Sequence, residues 1–255
     1  KILVLDEADK MFEMGFVDDV KKIVSGVPRN CQKLFFGATM PSEIMNIARS
    51  HMNNPEKVKM QSYVDEKKLI QHYYDIDKNN KFSLLVHIIK TNLKGLIVIF
   101  CGRRHMVDII NKNLNKQNIK SEALHGGITQ NRRNHVMEEF RDGKLNVLVA
   151  SEVAARGLDI KNLNLIINYN LQKTSREYFH RIVRTARAGE EGKVISLLSS
   201  EDYDNFKRVL EDRSLLIQKM KLPEFEHVEF VRSQHHGRPF DNRRFHGRFQ
   251  KHRNR

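Results

Sequence analysis

Lys1-Ile2-Leu3-Val4-Leu5-Asp6-Glu7-Ala8-Asp9 is the stretch on which the reading of this chain turns. Ile2 to Leu5 is a continuous apolar run, the pattern of a strand buried on both faces of a parallel sheet. It ends in three carboxylates within four residues. Open α/β sheets bind ligands in the crevice at the carboxyl ends of their strands. Acids delivered there hold Mg²⁺ and set a water against a nucleotide phosphate. No G-x-x-x-x-G-K-[ST] occurs in the 255 residues, so no P-loop lies on this chain, and either the partner strands of this first sheet are missing or the acids do something else.

Forty per cent hydrophobic residues are enough for a real core, and the length fits one or two domains. Lys and Arg number 45 against 31 acids, a net charge of +14 and a pI near 9.8. Such an excess favours a polyanion, nucleic acid before an anionic membrane. The charge is uneven: Arg232 to Arg255 holds eight Lys/Arg and one acid, Asp241. Cys31 and Cys101 are the only cysteines. Without a signal peptide they read as packed free thiols, which implies the cytoplasm or the nucleus. No apolar run reaches the ~20 residues of a membrane span, and His and Cys lack metal-ligand spacing.

Phe12, Phe16, Val20, Ile23 and Val24 recur at helical spacing up to Gly26 and Pro28. Leu34 to Phe36 reads as a second strand, Ser42 to Met52 as a helix behind Pro41, and Pro55 to Met60 as a third strand. Gln61 to Leu69 is polar and aperiodic, as a linker is. A regular alternation follows. Strands are expected at His72–Ile76, Leu96–Cys101, Ser121–Leu124, Val147–Ser151, Leu165–Tyr169 and Val194–Leu198. Helices are expected at Phe82–Leu93, His105–Asn115, Gln130–Arg141, Ser175–Arg184 and Tyr203–Leu210, with Glu152 to Leu163 mostly loop. This predicts an α/β fold, a parallel sheet with helices on both faces. It divides the chain into a partial first domain at 1–60, a linker at 61–69, a complete second domain at 70–215 and a basic, disordered tail at 216–255.

Two later clusters carry chemistry. Ser151 to Asp159 leaves a strand and turns through Gly157, where backbone can approach a ligand closely. His180 to Arg187 places Arg181, Arg184 and Arg187 three apart, along one side of a helix or irregular turn. Guanidiniums so grouped repel unless an anion lies among them, and arginines of this kind complete phosphate sites from across a domain interface. The tail interleaves Arg, Gly and Phe through Phe240, Arg243, Phe245, Arg248 and Phe249. That composition cannot form a core but suits phosphate contact and base stacking.

In this order the pieces resemble the DEAD-box RNA helicases. Asp6-Glu7-Ala8-Asp9 spells the family name. Gly37-Ala38-Thr39 is similar to its Ser-Ala-Thr motif, and Val98-Ile99-Phe100 falls at its fourth. Leu124-His125-Gly126 with Gln130 to Arg133 resembles the block that follows. Ala155 to Asp159 resembles the fifth motif and His180 to Arg187 the sixth, and the likeness covers about residues 1–215. It implies two RecA-like domains with ATP and RNA bound across their cleft. On that resemblance Asp6 holds Mg²⁺ and Glu7 orients or deprotonates the attacking water. Asp9 meets the other domain, Gly157 and Asp159 the nucleotide, and Arg184 and Arg187 the γ-phosphate. His180 couples the domains. Gly126, Gln130, Arg133 and Ser151 touch the RNA backbone, and Thr39, Arg156 and Arg181 join the RNA-binding and coupling set. Recognition of phosphates and 2′-hydroxyls reads little base sequence.

The chain departs from the pattern at Gly37 (serine in the family), at Val183 and Ala186 (both glycine), and at Gly102-Arg103 (a polar Asn-Thr pair). Without a P-loop, the 255 residues are expected not to hydrolyse ATP alone. The alternative is a non-catalytic RNA-binding module of one RecA-like domain and a basic tail. A DNA helicase of the same superfamily is the third reading, and Asp9, where many relatives carry His, argues against it.

Overall fold

Along β4 (Leu96–Cys101) successive residues enter two different cores: Leu96, Val98 and Phe100 pack on one side, Ile97, Ile99 and Cys101 on the other. A strand with no exposed face belongs inside a three-layer sandwich. The computed structural model describes residues 1–37, 39–59, 69–92, 95–155, 163–182, 185, 192–212 and 215–232. It divides into two compact units, Lys1–Gln61 and Ser62–Arg255.

In the first unit β1 (Ile2–Leu5) pairs in parallel with β2 (Gln32–Phe35), Leu5 opposite Phe35. The helices are α1 (Ala8–Glu13), α2 (Val17–Gly26) and α3 (Ser42–His51). The single helix expected over residues 12–24 is two, broken at Gly15 (φ 84°). Leu5, Ala8, Val20, Val24, Ile44 and Ile47 form the core, with Leu3 and Phe35 against it. Burial of β1 on both faces is not what the structure has. Ile2 and Val4 are 63% and 52% exposed, because the described helices cover only the Leu3–Leu5 face. The third strand expected at Pro55–Met60 is also absent over residues 55–59. Val58, at 75% exposure, finds nothing to pack on, and Pro55 has no N–H for a ladder.

The second unit adds β3 (Leu69–Asp75), β5 (Ser121–Leu124), β6 (Val147–Ser151), β7 (Leu163–Asn168), β8 (Gly192–Leu198) and β9 (Ile217–Lys219). The order is β5-β6-β4-β7-β8-β3-β9, parallel throughout. Helices α4 (Lys81–Thr91) and α5 (Arg104–Lys116) cover one face; α6 (Gln130–Arg141), α8 (Ser175–Ile182) and α9 (Tyr203–Leu210) cover the other. A short α7 (Glu152–Ala155) opens the segment expected to be loop. Helix α4 is fixed at its start by a buried pair, Lys81 Nζ to Asp202 Oδ2 at 2.7 Å. Asp202 also accepts from Ser199 and from the Leu171 N–H. Burial lowers the Lys81 pKa, and Asp202 opposes that shift.

A correction concerns the tail. Its composition predicts disorder from residue 216, yet β9 pairs with β3 at Gln71–Tyr73. Residues 220–232 then lie against α4 and α5. Val228 exchanges backbone bonds with the Ser83 hydroxyl at 2.9 and 3.3 Å, and Val231 does so with the Asn113 amide, both at 3.0 Å. Phe230 meets the Phe82 ring at 4.9 Å. The ordered body thus reaches Arg232, and the disorder expected of 233–255 falls outside the described residues. Because Phe230 is half-buried, Phe230→Ala should lower the stability of this unit by about 2 kcal/mol, read as a shifted urea midpoint at unchanged slope.

Candidate active site

The acids stand where β1 meets α1. Asp6 and Glu7 are exposed. Asp6 Oδ1 accepts from the Glu7 N–H at 2.9 Å, and Oδ2 has no protein partner among the described residues. Glu7 has φ 47° and ψ 41°, a left-handed conformation that costs a non-glycine residue of order 1–3 kcal/mol and gathers at functional sites. One free carboxylate oxygen suits Mg²⁺, which keeps several waters and takes one or two carboxylates beside substrate phosphates. No group of three or more His, Cys, Asp or Glu that could hold a metal exists among the described residues.

Asp9 differs from its neighbours: it is 1% exposed. Thr39 donates its backbone N–H and its hydroxyl to Asp9 Oδ2, at 3.0 and 3.2 Å, and the Lys10 N–H donates to Oδ1 at 3.1 Å. Acid and threonine are both site residues by sequence, and the structure joins them. A Cβ at Gly37 would stand 3.0 Å from Asp9 Oδ1 and 3.0 Å from the Thr39 carbonyl, so the carboxylate lies almost on the Gly37 backbone.

In the second unit the polar groups collect at the carboxyl edge of the sheet. Ser151 ends β6, buried, and Glu152 begins α7. The family resemblance groups Arg181 with the RNA-binding and coupling residues. The structure corrects this, because its side chain is only 4% accessible and is used up internally. Nη2 and Nε donate to Glu152 Oε2 at 2.6 and 3.1 Å, and Nη1 donates to Asn168 Oδ1 at 2.8 Å and the Asn170 carbonyl at 3.2 Å. The guanidinium lies over the Phe100 ring at 4.5 Å, and the Gln172 amide packs against it. Burial pulls its pKa down and Glu152 holds it up. Cys101, beneath this cluster, is an inert thiol pushed up to about 12 by burial. Both cysteines are buried and unpaired.

The turn after β5 and the start of α6 form a second, exposed group. Gly126 and Gln130 are exposed and Arg133 half-buried. Thr129 caps α6 by accepting from the Arg132 N–H at 3.3 Å. Arg133 Nη2 donates to the Ala154 carbonyl at 2.8 Å, tying α6 to α7, and Gln130 Nε2 donates to Asn134 Oδ1 at 2.9 Å. Arg156, Gly157, Asp159, Arg184 and Arg187 lie outside the described residues, and of His180 only the backbone, within α8, is described.

Glu152, Asn168 and Asn170 are not singled out by sequence. Glu152 has a usable signal, since it is an acid directly behind a wholly apolar strand, as Asp6 is. The asparagines have none, because their role arises from strands that neighbour only in space. Gly102 N–H donates to Asn170 Oδ1 at 3.1 Å across 68 residues.

Comparison with known proteins agrees with this geometry. Residues 1–47 match the DEAD/DEAH box helicase family and 80–189 the helicase conserved C-terminal domain. The ATP-dependent RNA helicase DbpA of Bacillus subtilis is 36% identical over 227 residues, 89% of this chain and 47% of that protein. The DEAD-box ATP-dependent RNA helicase CshA of Geobacillus kaustophilus is 35% identical over 222 residues, 87% of this chain and 48% of its own length. The chain thus spans about half the length of the curated relatives it matches. Among solved structures, Saccharomyces cerevisiae Dbp5 bound to RNA and ADP BeF3 superposes with a TM-score of 0.76 at 26% identity, covering 86% of this chain and 59% of that one. Escherichia coli SrmB, bound to regulator of ribonuclease activity A, gives 0.57 at 34% identity, covering 61% and 92%. The RecA-like parallel sheets, the order of motifs along them and the length of these matches agree, and this chain belongs to the DEAD-box family of RNA helicases.

Proposed function

We propose that this chain supplies the carboxylate edge of one ATP-binding lobe and the whole second lobe of an ATP-dependent RNA helicase. Residues 1–60 belong to the first lobe, 61–68 to the linker and 69 onward, from the start of β3, to the second. The observation that carries the reading is the division of labour among the first acids. Asp6 and Glu7 are exposed at the end of a parallel strand, Glu7 in a left-handed conformation, while Asp9 is buried and holds Thr39. Asp6 would hold Mg²⁺ through waters, and the ion, when bound, would neutralise charge developing on the phosphates. Glu7 orients the attacking water or takes its proton. Gly157 and Asp159 contact the nucleotide, Arg184 and Arg187 stabilise charge on the transferred phosphoryl group, and His180 couples the lobes. Gly126, Gln130, Arg133, Ser151, Thr39 and Arg156 serve RNA contact and coupling, with phosphates and 2′-hydroxyls read in place of bases. The names of DbpA and CshA, and the RNA and ADP BeF3 in the Dbp5 structure, support this assignment.

The test is steady-state ATP hydrolysis, with and without single-stranded RNA, by the protein at its natural length. Glu7→Gln should lower kcat by about 10²–10³ with RNA affinity retained, and Arg184→Ala or Arg187→Ala by about 10³. Equal losses in turnover and RNA affinity would sink these assignments. Deleting residues 233–255 removes seven Lys/Arg. It should flatten the dependence of log affinity on log salt by about 0.7 for each phosphate that the tail neutralises, and an unchanged slope refutes RNA binding by the tail.

A further inference from the structure

His125 lies in the turn between β5 and α6, and both of its ring nitrogens are engaged. Nε2 stands 2.9 Å from Asp108 Oδ1 of α5, and the Gly127 N–H donates to Nδ1 at 3.1 Å. A backbone N–H can only donate, so Nδ1 is the acceptor and Nε2 carries the proton that Asp108 receives. The ring is largely enclosed, 11% accessible. The turn closes beneath it, with the Ile128 N–H donating to the His125 carbonyl at 3.3 Å. A Cβ at Gly127 would lie 3.0 Å from Nδ1 and 3.1 Å from Cε1. A side chain at Gly127 would therefore crowd the imidazole, although its φ is not positive. Through Nδ1 the ring braces its own turn ahead of α6, and through Nε2 it is anchored to α5.

We propose that His125 is a positioning residue for RNA: its imidazole fixes the 125–128 turn so that Gly126 and the first turn of α6 present a set surface to a phosphate backbone. The inference rests on the reading of Gly126, Gln130 and Arg133 as RNA contacts. The charged groups around the ring are Asp108 and Arg104 of α5, and the Glu122–Arg132 pair on β5 and α6. Arg104 lies over Gly126, its Cζ 3.9 Å from a Cβ built there, and Glu122 meets Arg132 at 2.7 Å. Protonating Nδ1 turns the acceptor into a donor facing the Gly127 N–H, and the brace opens. Asp108 still accepts the hydrogen bond from Nε2–H. The sign of the effect is diagnostic. Added positive charge alone strengthens RNA binding as pH falls, whereas loss of the brace weakens it.

Asparagine distinguishes the two. Its Oδ1 can accept from the N–H two residues on, forming an Asx turn, and it does not titrate. The experiment measures binding of fluorescein-labelled oligouridylate to the 255-residue chain by anisotropy, at constant ionic strength, from pH 7.5 to 5.5. At pH 7.5, H125A should weaken binding about fivefold, the loss of one hydrogen bond, and H125N should recover most of that loss. The ratio of wild-type to H125N affinity should fall about threefold or more towards pH 5.5 as imidazoles charge; the ratio cancels titration of the other histidines. In parallel, the amide exchange of Gly127, read by NMR without RNA, should accelerate on acidification in the wild type relative to H125N. A flat or rising ratio, or no rescue by H125N, overturns the proposal while leaving RNA binding intact. Absence of RNA binding by the wild type at every pH overturns the underlying RNA reading too, and the exchange data then show whether the brace exists without that role.

Discussion

A guanidinium enclosed by protein must meet fixed oxygens, or the layer around it is destabilised by several kcal/mol. Arg181 meets its oxygens at three places in the chain: Glu152 on α7, Asn168 at the end of β7, and the Asn170 carbonyl beyond it. The Phe100 ring closes the flat side from β4. The geometry of one side chain therefore fixes how α8 lies on the sheet and how α7 leaves it. Breaking such a pair costs about 3–5 kcal/mol when both partners are buried. Glu152 is 26% accessible, so the lower part of that range applies. Residues 156–162 follow α7 directly and residues 183–191 follow α8. The segments that hold the proposed nucleotide ligands thus follow two helices joined by the Arg181–Glu152 pair.

The same edge holds a second buried pair, Lys81 with Asp202, and it does different work. Asp202 closes a reciprocal cap with Ser199, accepts from the Leu171 N–H, and takes the Lys81 ammonium, which also lies 5.3 Å from the Tyr169 ring. It joins the start of α4 to the exits of β7 and β8. The ends of β4, β6, β7 and β8 are thus bound into a largely buried polar layer, with exposed groups carried beyond it, Gly126 on a turn and Gln130 at the start of α6. Strand ends held in this way give the exposed groups a fixed base.

Where neighbours in sequence set the signal, the fold is legible. The strands Leu96–Cys101, Ser121–Leu124 and Val147–Ser151 and the helices Gln130–Arg141 and Tyr203–Leu210 match their expected bounds to the residue, because apolar runs and 3.6-residue periods are local. The strap over α4 and α5 is not legible in this way. Phe225, Val228 and Phe230 sit among Glu224, Glu226 and Glu229, and each buries only half a side chain in a furrow made by two distant helices. No period records such a surface. Arg181 misleads for a related reason. Its spacing of three from Arg184 and Arg187 is real, yet its partner Glu152 lies 29 residues back, and pairing in space overrides grouping along the sequence. The left-handed Glu7 is likewise unreadable, since any residue at the turn from strand to helix could carry the strain.

The site departure that matters to the first unit is Gly37, where the resembled motif has serine. Asp9 gives Oδ2 to two donors from a single residue, the Thr39 N–H and hydroxyl, and this joins the first acidic turn to the segment after β2. A hydrogen bond to a charged group contributes about 1.5–3 kcal/mol, enough for these two to keep the turn and the segment moving as one. No hydroxyl at position 37 takes part in that link. A Cβ there would press on Asp9 Oδ1 at 3.0 Å and on the Thr39 carbonyl at the same distance, so a larger residue must displace one end of the link it is supposed to reinforce. The absent side chain at Gly37 thus leaves room for the link between Asp9 and Thr39, which the Thr39 N–H and hydroxyl make without it.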